Sequence, residues 1–176
     1  MKIPDKLTQA FQNIFEKSEM HKQKRGEETP EFYLSKNFLE KSKLLSYCEH
    51  KFLYSIETTN KNARDIDGLE NFLQEMGYRL STDKIAGSFF YLPEGFMGWH
   101  TNHTDKDWRI YFVKSLKGDS FFRYVKDGEI VTDYDPKGWS YRIFYVGDEA
   151  NPFWHCVYGG SGRYSMGFRL KAITAA

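Results

Sequence analysis

From residue 85 onward the sequence is a succession of short apolar runs cut apart by Gly and Pro, and this limits the fold more than any other feature. The runs at 85–92, 108–116, 121–125, 129–134, 141–146, 153–158 and 163–173 are of strand length and rich in aromatic and β-branched residues. Between them stand Pro93-Glu94-Gly95, Pro136-Lys137-Gly138 and Gly159-Gly160-Ser161-Gly162. Lys126-Asp127-Gly128 predicts a hairpin, because Asp and Gly both tolerate the positive φ of a two-residue turn. Short strands at this spacing predict an antiparallel sandwich or barrel. An aromatic content of 18% points the same way.

Before residue 80 the period is helical. Leu7, Phe11, Ile14 and Phe15 recur at helical spacing after Pro4-Asp5. Phe38, Leu39, Leu44, Leu45 and Cys48 predict a second helix capped by Ser35. Leu69, Phe72, Leu73 and Met76 predict a third, capped by Asp65 or Asp67 and ended by Gly77. The charged stretch 21–28 reads as a solvated helix end and loop. The expected arrangement is one domain over 1–176. Residues 1–80 form a helical buttress against one sheet, and 81–176 form a jelly-roll core that carries the site.

The 25 basic and 24 acidic residues nearly cancel, and a net charge of +1 gives no indication of a nucleic-acid partner. Cys48 and Cys156 have no metal-type spacing and fit a reducing compartment. The opening Met1-Lys2-Ile3-Pro4-Asp5 lacks an apolar leader, and no run is long enough for a membrane helix. The expectation is a cytoplasmic protein without membrane contact.

Five histidines are present. His21 and His50 lack a partner pattern and read as surface or structural residues. His100 lies in Gly98-Trp99-His100-Thr101-Asn102-His103-Thr104-Asp105, where strand geometry would project His100 and Asn102 together. His155 follows on a later strand. In the run 163–170, alternation places Arg163, Ser165, Gly167 and Arg169 on one face and Tyr164, Met166, Phe168 and Leu170 on the other. Two arginines facing into a barrel need an anion, since an unpaired buried guanidinium is costly. That anion is either a ligand carboxylate, which Arg binds bidentately, or an internal acid such as Asp119, Asp133 or Asp135. Trp99, Trp108 and Trp154 read as core or pocket wall. Ser165 lacks a nucleophile elbow.

On these residues the chain resembles the Fe(II)/2-oxoglutarate oxygenases, whose fold is a double-stranded β-helix. That family carries a His-x-Asp/Glu pair, a distal His, and then an Arg-x-Ser or related element for the co-substrate's far carboxylate. His100, His155 and Arg163-Tyr164-Ser165 stand in that order here. The run from Arg163 to Arg169 is similar to the Arg-x-Asn-x-Thr-Phe-Arg ending of AlkB-type members, and Tyr91 and Gly95 to a Tyr and Gly upstream of their first ligand. The resemblance spans residues 91–170. It implies a mainly β jelly roll buttressed by helices, Fe(II) held by His100 and His155, and 2-oxoglutarate held by Arg163 and Ser165 with Arg169 and Tyr91. The implied activity is that of a hydroxylase or demethylase; the AlkB-like ending hints at a nucleic-acid substrate, but similar endings serve other substrates, and a small molecule or a protein side chain is at least as open.

The departure is Asn102, where the family has a carboxylate. Four arrangements follow. Asn102 coordinates through its amide; Asp105 or His103 supplies the third ligand; an exogenous ligand completes a two-histidine site, as in family halogenases; or the site binds without oxidising. Two other functions compete with the oxygenase. One is a non-catalytic jelly-roll binding protein. The other is a cupin-like metal enzyme that uses His100, His103 and His155 without 2-oxoglutarate.

Overall fold

The computed structural model describes residues 1–45, 48–57, 62–102 and 106–173. Four helices and nine strands are used below. The helices are α1 (Asp5–Lys17), α2 (Pro30–Tyr33), α3 (Lys36–Ser42) and α4 (Leu69–Glu75). The strands are β1 (Met20–Gln23), β2 (His50–Ile56), β3 (Tyr78–His100), β4 (Trp108–Ser115), β5 (Phe121–Lys126), β6 (Glu129–Tyr134), β7 (Gly138–Tyr145), β8 (His155–Tyr158) and β9 (Arg163–Ala172).

The strand order is β6-β5-β8-β3-β9-β4-β7, and every pair is antiparallel. The long strand β3 serves two sheets. Its first part, from Tyr78 to Tyr91, pairs with β9, and its last part, from Phe96 to His100, pairs with β8. The change of partner falls at Leu92-Pro93-Glu94-Gly95, where Glu94 takes a φ of 62°. Gly95 is required there, because a Cβ would lie 2.4 Å from the Phe52 carbonyl oxygen. The bend is fastened to the glycine turn by Glu94 N–H donating to Gly160 O (2.8 Å) and Gly159 N–H to Gly95 O (2.7 Å). One sheet is therefore β7-β4-β9-β3 and the other β3-β8-β5-β6. This is the jelly-roll, double-stranded β-helix arrangement, mainly β with N-terminal helices. Asp127 and Gly128 have φ of 51° and 80°, the tight hairpin that the sequence predicts between β5 and β6.

Three apolar clusters follow from strand alternation. The outer face of β9 (Met166, Phe168, Leu170) joins Ile110 and Phe112 of β4 beneath Leu7, Phe11, Ile14 and Phe15 of α1 and Leu69, Phe72 and Leu73 of α4. Each of these large side chains contributes about 1.5–3 kcal/mol by leaving water. Tyr33, Leu34, Phe38 and Leu39 of the α2–α3 segment cover Phe96, Trp99 and Cys156 on the outer face of the second sheet. Leu53, Tyr91, Phe122, Phe144, Val146 and Val157 fill the space between the sheets.

Several expectations are corrected. The first 80 residues are not wholly helical, since β1 and β2 extend the sheet next to β3. The helices cover both sheets rather than one. The second helix, capped by Ser35 Oγ as predicted, stops at Ser42, leaving Leu44 exposed and Cys48 beyond it. Gly68, with a φ of 82°, stands at the N-cap of α4 in place of Asp65 or Asp67; Gly77 ends the helix at φ 79°. Trp99 is core, its Nε1–H donating to Ser35 O (3.0 Å). Trp108 and Trp154 pack against the outer clusters, so none of the three lines the inner cavity. No helix among the described residues is long and apolar enough to cross a membrane.

Candidate functional site

His100 ends β3 and His155 begins β8, and the two are direct partners across the antiparallel pair. Their ring centroids are 4.2 Å apart. His100 Nδ1 lies 2.8 Å from Gly98 O, and His155 Nδ1 lies 3.0 Å from Phe153 O. A carbonyl oxygen only accepts, so each Nδ1 carries the proton and each neutral ring keeps its lone pair on Nε2. Such second-sphere bonds orient metal-binding imidazoles. Burial pushes His100 below its usual pKa. Burial and the neighbouring His100 push His155 further down. Both are held as neutral imidazoles, with Phe122 and Phe153 stacked on His155 at 5.2 and 5.5 Å.

Asn102 lies past the end of β3, with Nδ2 3.4 Å from His155 Nε2. A half-turn of the amide would present Oδ1 there instead. His103 and Asp105 lie outside the described residues.

Both histidines open on a cavity of about 30 Å³ between the sheets, lined also by Tyr91, Tyr111, Phe122, Arg142, Arg163 and Ser165. Its size suits two or three waters, given roughly 10–15 Å³ for one probe-sized water. Arg163 is the cross-strand partner of Tyr91, and its Cζ stands 5.4 Å from the Tyr91 ring centre. Ser165, two residues on, faces the same way, as alternation predicts.

Of the three acids weighed from sequence, Asp135 meets Arg163. Arg163 Nε donates to Asp135 Oδ2 (2.9 Å), Arg142 Nη2 to Asp135 Oδ1, and Ser120 Oγ to Asp135 Oδ2 (2.8 Å). Burial pushes Asp135 up, but the two guanidinium groups and the hydrogen bonds outweigh it and hold it below the usual carboxyl range. Burial lowers Arg142, opposed by Asp135. A guanidinium paired with a carboxylate keeps its proton near neutral pH. Two cations therefore share one buried anion, and the exposed Asp133 also acts on Arg142. Arg163 Nη1 is buried and meets no acceptor among the described residues. Asp119 instead accepts from Ser161 N–H (3.0 Å) in the glycine turn.

Arg169 does not reach the cavity. It shares the inward face of β9, but six residues at about 3.3 Å each place it roughly 20 Å along the strand from Arg163. There its Nε donates to Asp107, which Arg109 also meets at 3.0 Å.

Sequence reasoning missed Arg142 and Tyr111, and it weighed Asp135 only as one of three acids. The first two had a usable signal. Gly167 pairs with Tyr111 and Tyr111 with Arg142, so inward parity on β9 carries across β4 to β7. Asp135 follows β6, where no period marks it.

Two other features lie away from this cavity. An open groove of about 860 Å³ beside α2 and α3, lined by Arg25, Glu27, Tyr33 and Lys41 among others, holds none of the candidate residues. Glu19, His21 and Glu57 form an exposed cluster at the β1–β2 edge, where His21 Nε2 and Glu57 Oε2 are 2.9 Å apart.

No protein-family model matches the chain, and no curated protein matches it in sequence. Among solved structures, an oxidoreductase of the 2OG-Fe(II) oxygenase family from Burkholderia pseudomallei aligns over 99% of this chain and 94% of its own, at 13% identity and a TM-score of 0.43. A Pseudomonas putida prolyl-4-hydroxylase aligns over 71% of each chain, at 16% identity and a TM-score of 0.38. An oxalate oxidase in complex with the substrate analogue glycolate aligns over 66% of this chain, at 11% identity and a TM-score of 0.37; the chain spans about half of its length (50%). At such scores the jelly-roll fold stands on the strand order itself.

Proposed function

We propose that the chain is an Fe(II)/2-oxoglutarate-dependent oxygenase, of hydroxylase or demethylase type, acting on a small molecule or a protein side chain. One observation carries the proposal. A single cavity holds two neutral imidazoles whose Nδ1–H bonds leave Nε2 as the ligating nitrogen, that of His155 meeting the Asn102 side-chain amide, and a buried guanidinium with a nitrogen lacking an acceptor among the described residues.

The donor set fits a divalent first-row cation. Imidazole nitrogen suits Fe(II), and the Nδ1 bonds fix both rings in the ligating tautomer. His100 and His155 would hold the metal, with Asn102 as a neutral third donor. When bound, Fe(II) with 2-oxoglutarate and O₂ supplies an oxidant strong enough for an unactivated C–H bond. Arg163, with Ser165 beside it, would take the co-substrate's far carboxylate. Tyr91, Phe122 and Phe153 would exclude water from the reacting end. The cavity is smaller than 2-oxoglutarate, so the lining must open on binding. Unbranched Met97 is the side chain best able to yield.

A second reading is a carboxylate-binding jelly roll without a metal. The contact of Asn102 Nδ2 with His155 Nε2 favours it, since that bond satisfies the nitrogen a metal would need. Anaerobic titration of metal-stripped protein with Fe(II), then 2-oxoglutarate, separates the two. The oxygenase gives the weak visible charge-transfer band of a chelated complex. Binding of 2-oxoglutarate without Fe(II) uptake supports the metal-free reading. Fe(II) uptake with no band and no 2-oxoglutarate binding removes the co-substrate assignment.

A further inference from the structure

Arg142 enters from β7, the strand at the far end of the first sheet, and is drawn into the cavity by Asp135. Its side chain is 17% exposed, and its Cζ stands 4.6 Å from the centre of the Phe122 ring, the same ring that stacks on His155. Asp135 is a single carboxylate with an arginine on each oxygen. An internal ion pair needs one arginine, and Ser120 already supports the acid on the Arg163 side. The second guanidinium is not needed for neutrality. It adds a second positive charge to the cavity wall beyond what the buried carboxylate balances, and the other carboxylate acting on it, Asp133, is exposed to solvent.

We propose that Arg142 is a second anion-binding residue of the cavity, gripping together with Arg163 the distal carboxylate of a dicarboxylic 2-oxo acid, with Asp135 as the positioning residue that aims both forks. This rests on the oxygenase reading and deepens it, because it makes the site selective for a dicarboxylate over the corresponding monocarboxylate. Arg163 reaches the anion through its buried Nη1, while Asp135 keeps Nε. Arg142 uses the part of its fork not taken by Asp135. Two planar forks converging on one carboxylate fix its plane as well as its position, which a single point charge would not do.

The test uses the full chain with Mn(II), which supports binding without turnover, and calorimetric titration with two probes. The probes are 2-oxoglutarate and 2-oxobutyrate, which share the 2-oxo-acid head and differ in the distal carboxylate. Arg142→Met removes the charge and leaves Asp135 in a one-to-one pair with Arg163, so the buried cluster stays balanced. The expected result is about a tenfold or greater loss of affinity for 2-oxoglutarate, with 2-oxobutyrate unchanged. Arg142→Lys should recover part of that loss, since it restores charge without the fork. Parent and Arg142→Met binding 2-oxoglutarate equally well overturns the Arg142 assignment and leaves the oxygenase reading intact. Equal loss for both probes also overturns it, because a distal contact has no purchase on a probe that lacks the group. A parent protein that binds neither probe overturns both.

Discussion

His100 and His155 are paired residue against residue across β3 and β8, and each ring is turned the same way by a bond from Nδ1 to the carbonyl two residues before it. The pair is thus made by the backbone and does not depend on a metal to form. Replacing His155 with Ala should abolish metal uptake and leave the β-sheet circular dichroism unchanged. The lost packing against Phe122 and Phe153 should cost about 1–3 kcal/mol. Metal content after reconstitution checks it, and a variant that still holds an equivalent of metal in the cavity removes His155 from the ligand set.

Asn102→Asp places a carboxylate beside His155 Nε2 where the parent has an amide. Fe(II) affinity should rise by at least an order of magnitude, as an anionic oxygen replaces a neutral one. Anaerobic calorimetry on parent and variant measures this directly. Equal affinities would mean that position 102 is not a ligand position.

Asp135 lies between two guanidinium groups with its side chain fully buried. Asp135→Asn leaves both cations facing a neutral amide. Breaking a buried pair in this way typically costs 3–5 kcal/mol, so a loss of about that size is expected in urea denaturation. Arg142→Met, which leaves a balanced pair, should cost clearly less. The reverse order would show that the cluster is not held by its charge arrangement.

The same carboxylate sets a pH dependence. Its folded-state pKa is depressed below the ordinary 3.8, so the unfolded chain binds the proton first. The stabilisation is complete above that ordinary value and is lost as pH falls through the lower folded value. A carboxyl-carbon NMR titration of Asp135 should show its midpoint below 3.8. A midpoint above it would mean that burial outweighs the arginines.

Gly167 gives Tyr111 its place over β9. A Cβ at 167 would stand 2.4 Å from Tyr111 Cε1. Gly167→Ala should push the Tyr111 ring into the cavity, costing roughly 1–3 kcal/mol and weakening ligand binding. Thermal denaturation and 2-oxoglutarate titration of the variant check both effects; an unchanged affinity would place the displaced ring elsewhere.

Much of the barrel was legible because each strand alternates and each gap carries Gly or Pro. Met166, Phe168 and Leu170 on one face of β9, with Arg163 and Ser165 on the other, were readable from period alone. β1 was not, because Met20-His21-Lys22-Gln23 is largely exposed and carries no apolar alternation. Leu53 and Ile56 of β2 are buried, but they lie three residues apart, off the period of two, just after a bulge at Phe52 with a φ of 50°. In the site, parity could identify which side chains face inward but not how far along a strand the cavity extends. Arg169 was therefore grouped with Arg163, although the two meet different acids. Asp135 was legible only as one of three acids, since the strand pairing that brings it to Arg163 leaves no mark on its own neighbourhood.

The double pairing of β3 has a consequence for biosynthesis. The chain is made from its N-terminus, so β3 is translated well before β8 and β9, the strands that flank it. Until they arrive, the 23-residue strand has β2 on one edge, and the stretches that β9 and then β8 will cover on the other stand open. The histidine pair closes only with β8 and the arginine wall only with β9. A nascent chain halted before β8 therefore carries no partial version of the site, and its β3, paired with β2 alone, is the segment most in need of a chaperone.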